Sequence, residues 1–177
     1  MNRESYPLTK TQLGIYLESL TGGSKETYTC SYLAQAAPEV TAEQMIRAVH
    51  AVIEAHPGIK YIIHVHEDGM PRMVMKPEAE LAIPVIEGTE ESRLDFMRTF
   101  IPAVPMMDEI LLHLAIYRTP VRCYLAIKSH LIFFDGTAIS QFIAEMNRAM
   151  ASKISSGSQK VNCIQAAMIF RALSSIV

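Results

Sequence analysis

Apolar positions along the 177-residue chain alternate between two rhythms, one of helices and one of strands. Helical spacing appears first in LTKTQLGIYLESLTGG, where Leu13, Tyr16, Leu17 and Leu20 form one stripe. Thr9 followed by Gln12 has the form of a capping box, and Gly22-Gly23 marks the end. ETYTCSYLAQAAP, rich in Tyr and Thr, predicts a strand. A second capping box, Thr41 with Gln44, opens the helix AEQMIRAVHAVIEA. Its Met45, Val49, Val52 and Ile53 face one way, and His56-Pro57-Gly58 terminates it.

IKYIIHVHEDGMPRMVMK then predicts a hairpin turned at Asp68-Gly69. ELAIPVIEG suggests a short edge strand, since Pro84 cannot donate to a ladder. Thr89 is placed to cap a helix from Glu90 to Phe100. EILLHLAIYRT and VRCYLAIKSHLIFF, joined at Thr119-Pro120, are apolar on both faces, which predicts two central strands, the second over 121–134. Asp135-Gly136 breaks that strand, and Thr137 opens the helix AISQFIAEMNRAM. Residues 153–160 are polar and predict a flexible joint. Residues 161–177 predict an amphipathic helix, with Ile164, Met168, Ala172 and Ile176 in one stripe.

Together these elements predict a mixed α/β (α+β) fold, with a mainly antiparallel sheet packed by helices rather than a doubly wound parallel one. Half the residues are hydrophobic and 19% are charged, so a substantial core forms from residues 1–152. A net charge of −2 without a basic block argues against nucleic acid as a partner. There is no signal-peptide pattern and no apolar run of membrane-spanning length, which points to the cytoplasm. Cys30, Cys123 and Cys163 are far apart and odd in number, as expected of reduced, buried thiols rather than zinc ligands.

The candidate chemistry lies in KSHLIFFDGT, residues 128–137. In a strand, Ser129 and His130 point to opposite faces, so they cannot make a nucleophile–base dyad. No G-x-S-x-G elbow is present. His130, near a strand end, either reaches a ligand or is a core histidine bonded to a carbonyl. Asp135, between Phe134 and Gly136, is expected to be a buried carboxylate in need of a partner. His64 and His66 share one strand face at a spacing that suits a metal, but no third ligand accompanies them, so no metal is expected. Met70, Met73 and Met75 suit packing first, and a carrier-protein contact second.

SHLIFFDGTAISQFIAEM resembles the His-His-x-x-x-Asp-Gly motif of nonribosomal peptide synthetase condensation domains, which also continues into a helix. YPLTKTQLGIYLESL is similar to the family's opening motif, with Gln12, Tyr16 and Leu20 in frame. AVIEAHPGIKYIIHVHEDGMPRMVM is similar to the Arg-His-Glu-x-Leu-Arg-Thr segment and the hairpin after it. The three share the family's order and spacing from residue 5 to about residue 150.

The resemblance implies a chloramphenicol acetyltransferase-like lobe, the N-terminal one of two that form a V. It implies amide formation between a donor acyl thioester and an aminoacyl amine, each on the phosphopantetheine arm of a carrier protein, with no cofactor in the lobe itself. It gives His130 the catalytic role, Gly136 a close backbone approach to the reacting centre, and Asp135 a structural pairing with a cation. Ser129 replaces the family's first histidine, and Lys60 stands where an arginine usually pairs with the motif aspartate. No second lobe follows Met150, so the isolated chain is expected to be nearly inactive. Its start at Met1 suggests a donor from outside the chain, either an acyl group from coenzyme A or a free carrier, as in a starter domain, or a peptide from another synthetase subunit. Two other readings stay open: a non-catalytic lobe that docks a carrier or a second lobe, and an oligomeric acyltransferase of the same superfamily.

Overall fold

The computed structural model of the chain describes residues 5–22, 26–154 and 164–167. In chain order it contains β1 (Ser5–Pro7), α1 (Lys10–Thr21), β2 (Thr29–Ala36), α2 (Ala42–Ala55), β3 (Tyr61–Val65) and β4 (Pro71–Met75). β5 (Val85–Glu87), α3 (Arg93–Thr99), β6 (Leu112–Arg118), β7 (Cys123–His130), α4 (Gly136–Ile154) and β8 (Ile164–Ala167) follow. Both expected capping boxes form. Gln12 N–H donates to Thr9 Oγ1 at 3.2 Å and Thr9 N–H donates to Gln12 Oε1 at 3.0 Å. The same exchange at Thr41 and Gln44 measures 3.3 and 2.8 Å. Each box satisfies donors that a helix start otherwise leaves bare.

The strands make two sheets. A five-stranded sheet has the order β5-β6-β7-β2-β8, antiparallel except for the β5–β6 pair. A three-stranded antiparallel sheet has the order β1-β4-β3. The predicted hairpin is the β3–β4 pair, with Gly69 at φ 77 in its turn, a conformation glycine adopts without a Cβ clash. The mixed, mainly antiparallel fold matches the expectation.

The large sheet has two unlike faces. On one, Cys123, Leu125 and Ile127 of β7 join Leu112, Leu114 and Ile116 of β6 against α2 and α4. On the other, Tyr124 and Ala126 join Ala115, Tyr117 and Leu33 under Met97 of α3. A smaller cluster of Tyr16, Ile63, Val104, Leu111 and Ile132 ties α1 and β3 to the turn after β7.

Four expectations need correction. The strand expected over 121–134 ends at His130, because Phe133 and Phe134 both turn back to donate to the His130 carbonyl. The helix expected from Glu90 begins at Arg93: the Glu90 carboxylate bonds Thr119 and Tyr124, and Thr89 instead exchanges hydrogen bonds with Ser92. Of the α1 stripe only Tyr16 is buried; Leu13, Leu17 and Leu20 are exposed, since α1 packs through Tyr16 and Ile15. Within the helix expected over 161–177, Ile164–Ala167 is a strand on the outer edge of β2. That edge would otherwise expose unpaired N–H and C=O groups, and pairing them outweighs helical spacing. The rest of that expected helix, Cys163, and residues 155–160 of the joint lie outside the described residues. α4 itself runs to Ile154, and no helix among the described residues is long and apolar enough to cross a membrane.

Candidate functional site

β7 is buried along its whole length, and His130 is its last residue. The ring is 2% exposed and stacks on Tyr28, with centroids 6.0 Å apart and planes at 22°. Ile132 N–H donates to His130 Nδ1 at 3.2 Å. Burial pushes the His130 pKa down to about 4, so the ring is neutral near pH 7. With Nδ1 accepting, the ring proton sits on Nε2. His130 in this state offers a hydrogen-bond donor at Nε2. It accepts a proton there only after the bond from Ile132 is given up.

The turn after His130 is held from several sides. Gln12 Nε2 donates to the Ile132 carbonyl at 3.3 Å, so the residue that completes the first capping box also pins this turn. Leu131 N–H donates to the Tyr28 carbonyl at 2.8 Å. Ser129 faces away from His130, as strand alternation requires. It is fully buried, with Oγ donating to the Phe134 carbonyl at 3.4 Å. The serine in the first-histidine position is thus a tie across the turn.

Asp135 and Lys60 are placed differently from expectation. Asp135 is exposed, because β7 ends before it and the turn carries it to the surface. Its Oδ1 accepts from Ala138 N–H at 2.8 Å, which makes it the cap of α4. Lys60 Nζ donates to the Pro77 carbonyl at 2.9 Å and forms no ion pair with Asp135. A helix cap satisfies the carboxylate without a cation. Gly136 opens α4, and a Cβ built there meets only Tyr32 Oη at 3.8 Å, an ordinary contact. Nothing within the described chain therefore demands a glycine at this position.

His64 and His66 do lie side by side, with rings 6.5 Å apart, and His64 Nδ1 is 2.6 Å from Asp108 Oδ1. Among the described residues no group of three potential ligands assembles around a metal position. A cavity of about 390 Å3 lies beside β6, lined by Phe100, Ile101, Asp108, Glu109 and His113 among others. His130 does not line it, so it is separate from the motif. Sequence reasoning passed over His113 and Lys128; their signal was a polar residue in an otherwise apolar strand.

Comparison with known proteins follows the same lines. No curated protein matches the sequence. The starter condensation domain of the rhizomide synthetase RzmA superposes with a TM-score of 0.75 at 15% identity, covering 88% of this chain and 39% of that one. A mutant of it in complex with C8-CoA and Leu-SNAC gives a TM-score of 0.74 at 16% identity, covering 89% and 37%. The first condensation domain of the CDA synthetase gives 0.72 at 13% identity, covering 88% and 41%. At such identities the likeness is one of fold, and the chain spans about two fifths of the length of these structures. The sequence pattern described as Condensation domain matches residues 2–159, most of the chain. The chain belongs to the condensation-domain family.

Proposed function

We propose that this chain is the N-terminal lobe of a nonribosomal peptide synthetase condensation domain. Its reaction is amide formation between a donor acyl thioester and the amine of an aminoacyl group on a carrier protein. The carrying observation is His130, a buried neutral imidazole where β7 stops, within the family-matched segment. Held by Ile132, its Nε2–H is suited to bind the thioester carbonyl and the negative charge that grows on it during attack. If the ring releases Ile132 and its own proton moves to Nδ1, Nε2 is left free to take the amine proton. Carrier proteins would present both substrates on phosphopantetheine arms, and a second lobe would supply the other wall of the site. The neighbour in complex with C8-CoA supports a starter role, with coenzyme A as donor.

Positioning two substrates supplies about 7–11 kcal/mol of a barrier, so the 177-residue chain alone is expected to form almost no amide. The test is amide formation by a protein of full two-lobe length, with octanoyl-CoA and a leucyl carrier protein. Wild type should turn over, and His130→Ala should lose about 10²-fold or more. Unchanged turnover in the variant would remove the catalytic role.

One observation favours the second reading, a non-catalytic docking lobe. The motif's two ordinary partners are rearranged here, since Ser129 ties the turn and Lys60 bonds Pro77. That reading predicts carrier-protein binding that His130→Ala leaves intact, without turnover in either form.

A further inference from the structure

The His130 face of the large sheet carries a second polar feature. Ser31 of β2, Lys128 of β7 and His113 of β6 lie in direct register across three strands. They form one row. Lys128 lies two positions before His130 on the same strand, so the row lies on the His130 face about 7 Å further in.

The row is costly to the fold as it stands. Lys128 is 5% exposed, yet among the described residues its ammonium makes no hydrogen bond or ion pair. His113 Nε2 is sealed from solvent and has no hydrogen-bond partner. Burial pushes both pKa values down, against weaker pulls from Glu26 on Lys128 and Glu109 on His113. A sealed ring nitrogen such as His113 Nε2 is ordinarily paired, and leaving it unpaired is unfavourable. Nζ is not among the polar atoms sealed from solvent, so the ammonium remains reachable.

The cover over this end of the face is also unusual. It comes from the segment after α3, where Val104 N–H donates to Thr29 Oγ1 at 2.9 Å. Ile101 in that segment has φ 46, a strained conformation for a β-branched residue.

We propose that Ser31, Lys128 and His113 form a subsite for a carboxylate at the end of a substrate acyl chain. A carboxylate offers the acceptors that an ammonium, an N–H and a hydroxyl all lack. The phosphate of a pantetheine arm is excluded, because it stands a full arm's length from the thioester. The spacing to His130 suits a short dicarboxylic acyl group whose thioester carbonyl lies at Nε2. The exclusion of the phosphate and this last identification rest on His130 being the reacting end.

The test uses two N-acetylcysteamine thioesters, glutaryl and its amide-terminated counterpart, titrated into the 177-residue chain and followed by NMR. The acid-terminated probe is expected to bind about tenfold tighter or more. Lys128→Met, matched in length, should erase that preference and leave the amide-terminated probe unaffected. Ser31→Ala, a smaller change, should weaken the acid-terminated probe selectively. Equal affinities in wild type, no binding by either probe, or a preference that survives Lys128→Met would overturn the subsite. The His130 ring signals separate the two ideas. If they shift with both probes and no acid preference is seen, the subsite fails and the His130 reading stands. If the acid preference appears without a shift at His130, the subsite stands and that reading fails.

Discussion

The two faces of β7 are built from alternate residues of one strand, yet they obey different rules. Cys123, Leu125, Ile127 and Ser129 face α2 and α4, where the core cluster is apolar and Ser129 bonds the Phe134 carbonyl. Tyr124, Ala126, Lys128 and His130 face the other way, and the two nearest the strand's end are polar and buried. The first face serves stability. The second leaves buried polar groups unpaired, which a chain selected for stability alone would replace. The two-residue period of a strand lets adjacent positions be given to opposite tasks.

The sharpest way to break this contrast is to compare neighbours. Ile127→Ala should cost about 2–5 kcal/mol in urea unfolding, because it empties a fully buried site. Lys128→Met, one residue on, should cost little or nothing, since the buried stem keeps its length and the reachable ammonium loses no hydrogen bond or ion pair among the described residues. A large loss at Lys128 would mean that the lysine holds the fold and that the two faces are alike.

The next effect is one of pH. The His130 pKa is lowered from 6.5 to about 4 on folding, so the unfolded chain binds the proton more readily. Its contribution is present in full above pH 6.5 and is lost as pH falls towards 4, by up to about 3 kcal/mol. His130→Gln should flatten that part of the stability profile between pH 7 and 4.5. An identical slope in the variant would show that the ring is not desolvated.

Smaller effects belong to the turn. Asp135→Ala should cost about 1 kcal/mol, the worth of a helix cap, and Lys60→Ala less than about 0.5 kcal/mol. A double-mutant cycle between them should show no coupling, because the two side chains bond elsewhere. Gly136→Ala should fold as wild type does, with Tyr32 Oη at 3.8 Å from the new methyl. If the longer protein then lost activity, the loss would report a substrate's approach rather than a strained backbone.

Much of this architecture was legible in local signals. Thr9, Gln12, Thr41 and Gln44 announce their helices by direct hydrogen bonds three residues apart, and Asp68-Gly69 announces its turn by φ. The opposition of Ser129 and His130 follows from strand alternation alone. The failures came from hydrogen bonds that hydrophobic spacing does not show, some local and some tertiary. Phe133 and Phe134 read as strand, but their amides return to the His130 carbonyl. Glu90 read as a helix's first turn, but Thr119 and Tyr124 claim its carboxylate. The Lys60–Asp135 pairing was carried over by analogy, and the capping bond to Ala138 makes it unnecessary. The row through Lys128 escaped notice because it exists only once β2, β6 and β7 are in register.

The pairing of β8 with β2 has a consequence in time. β2 leaves the ribosome early, whereas Ile164–Ala167 is made far later. At about 5–20 residues per second, the edge of β2 waits on the order of ten seconds for its partner. For that interval the growing chain presents an open strand to every neighbour in a crowded polysome. Its yield should therefore depend on chaperones and on translation speed more than its final stability would suggest.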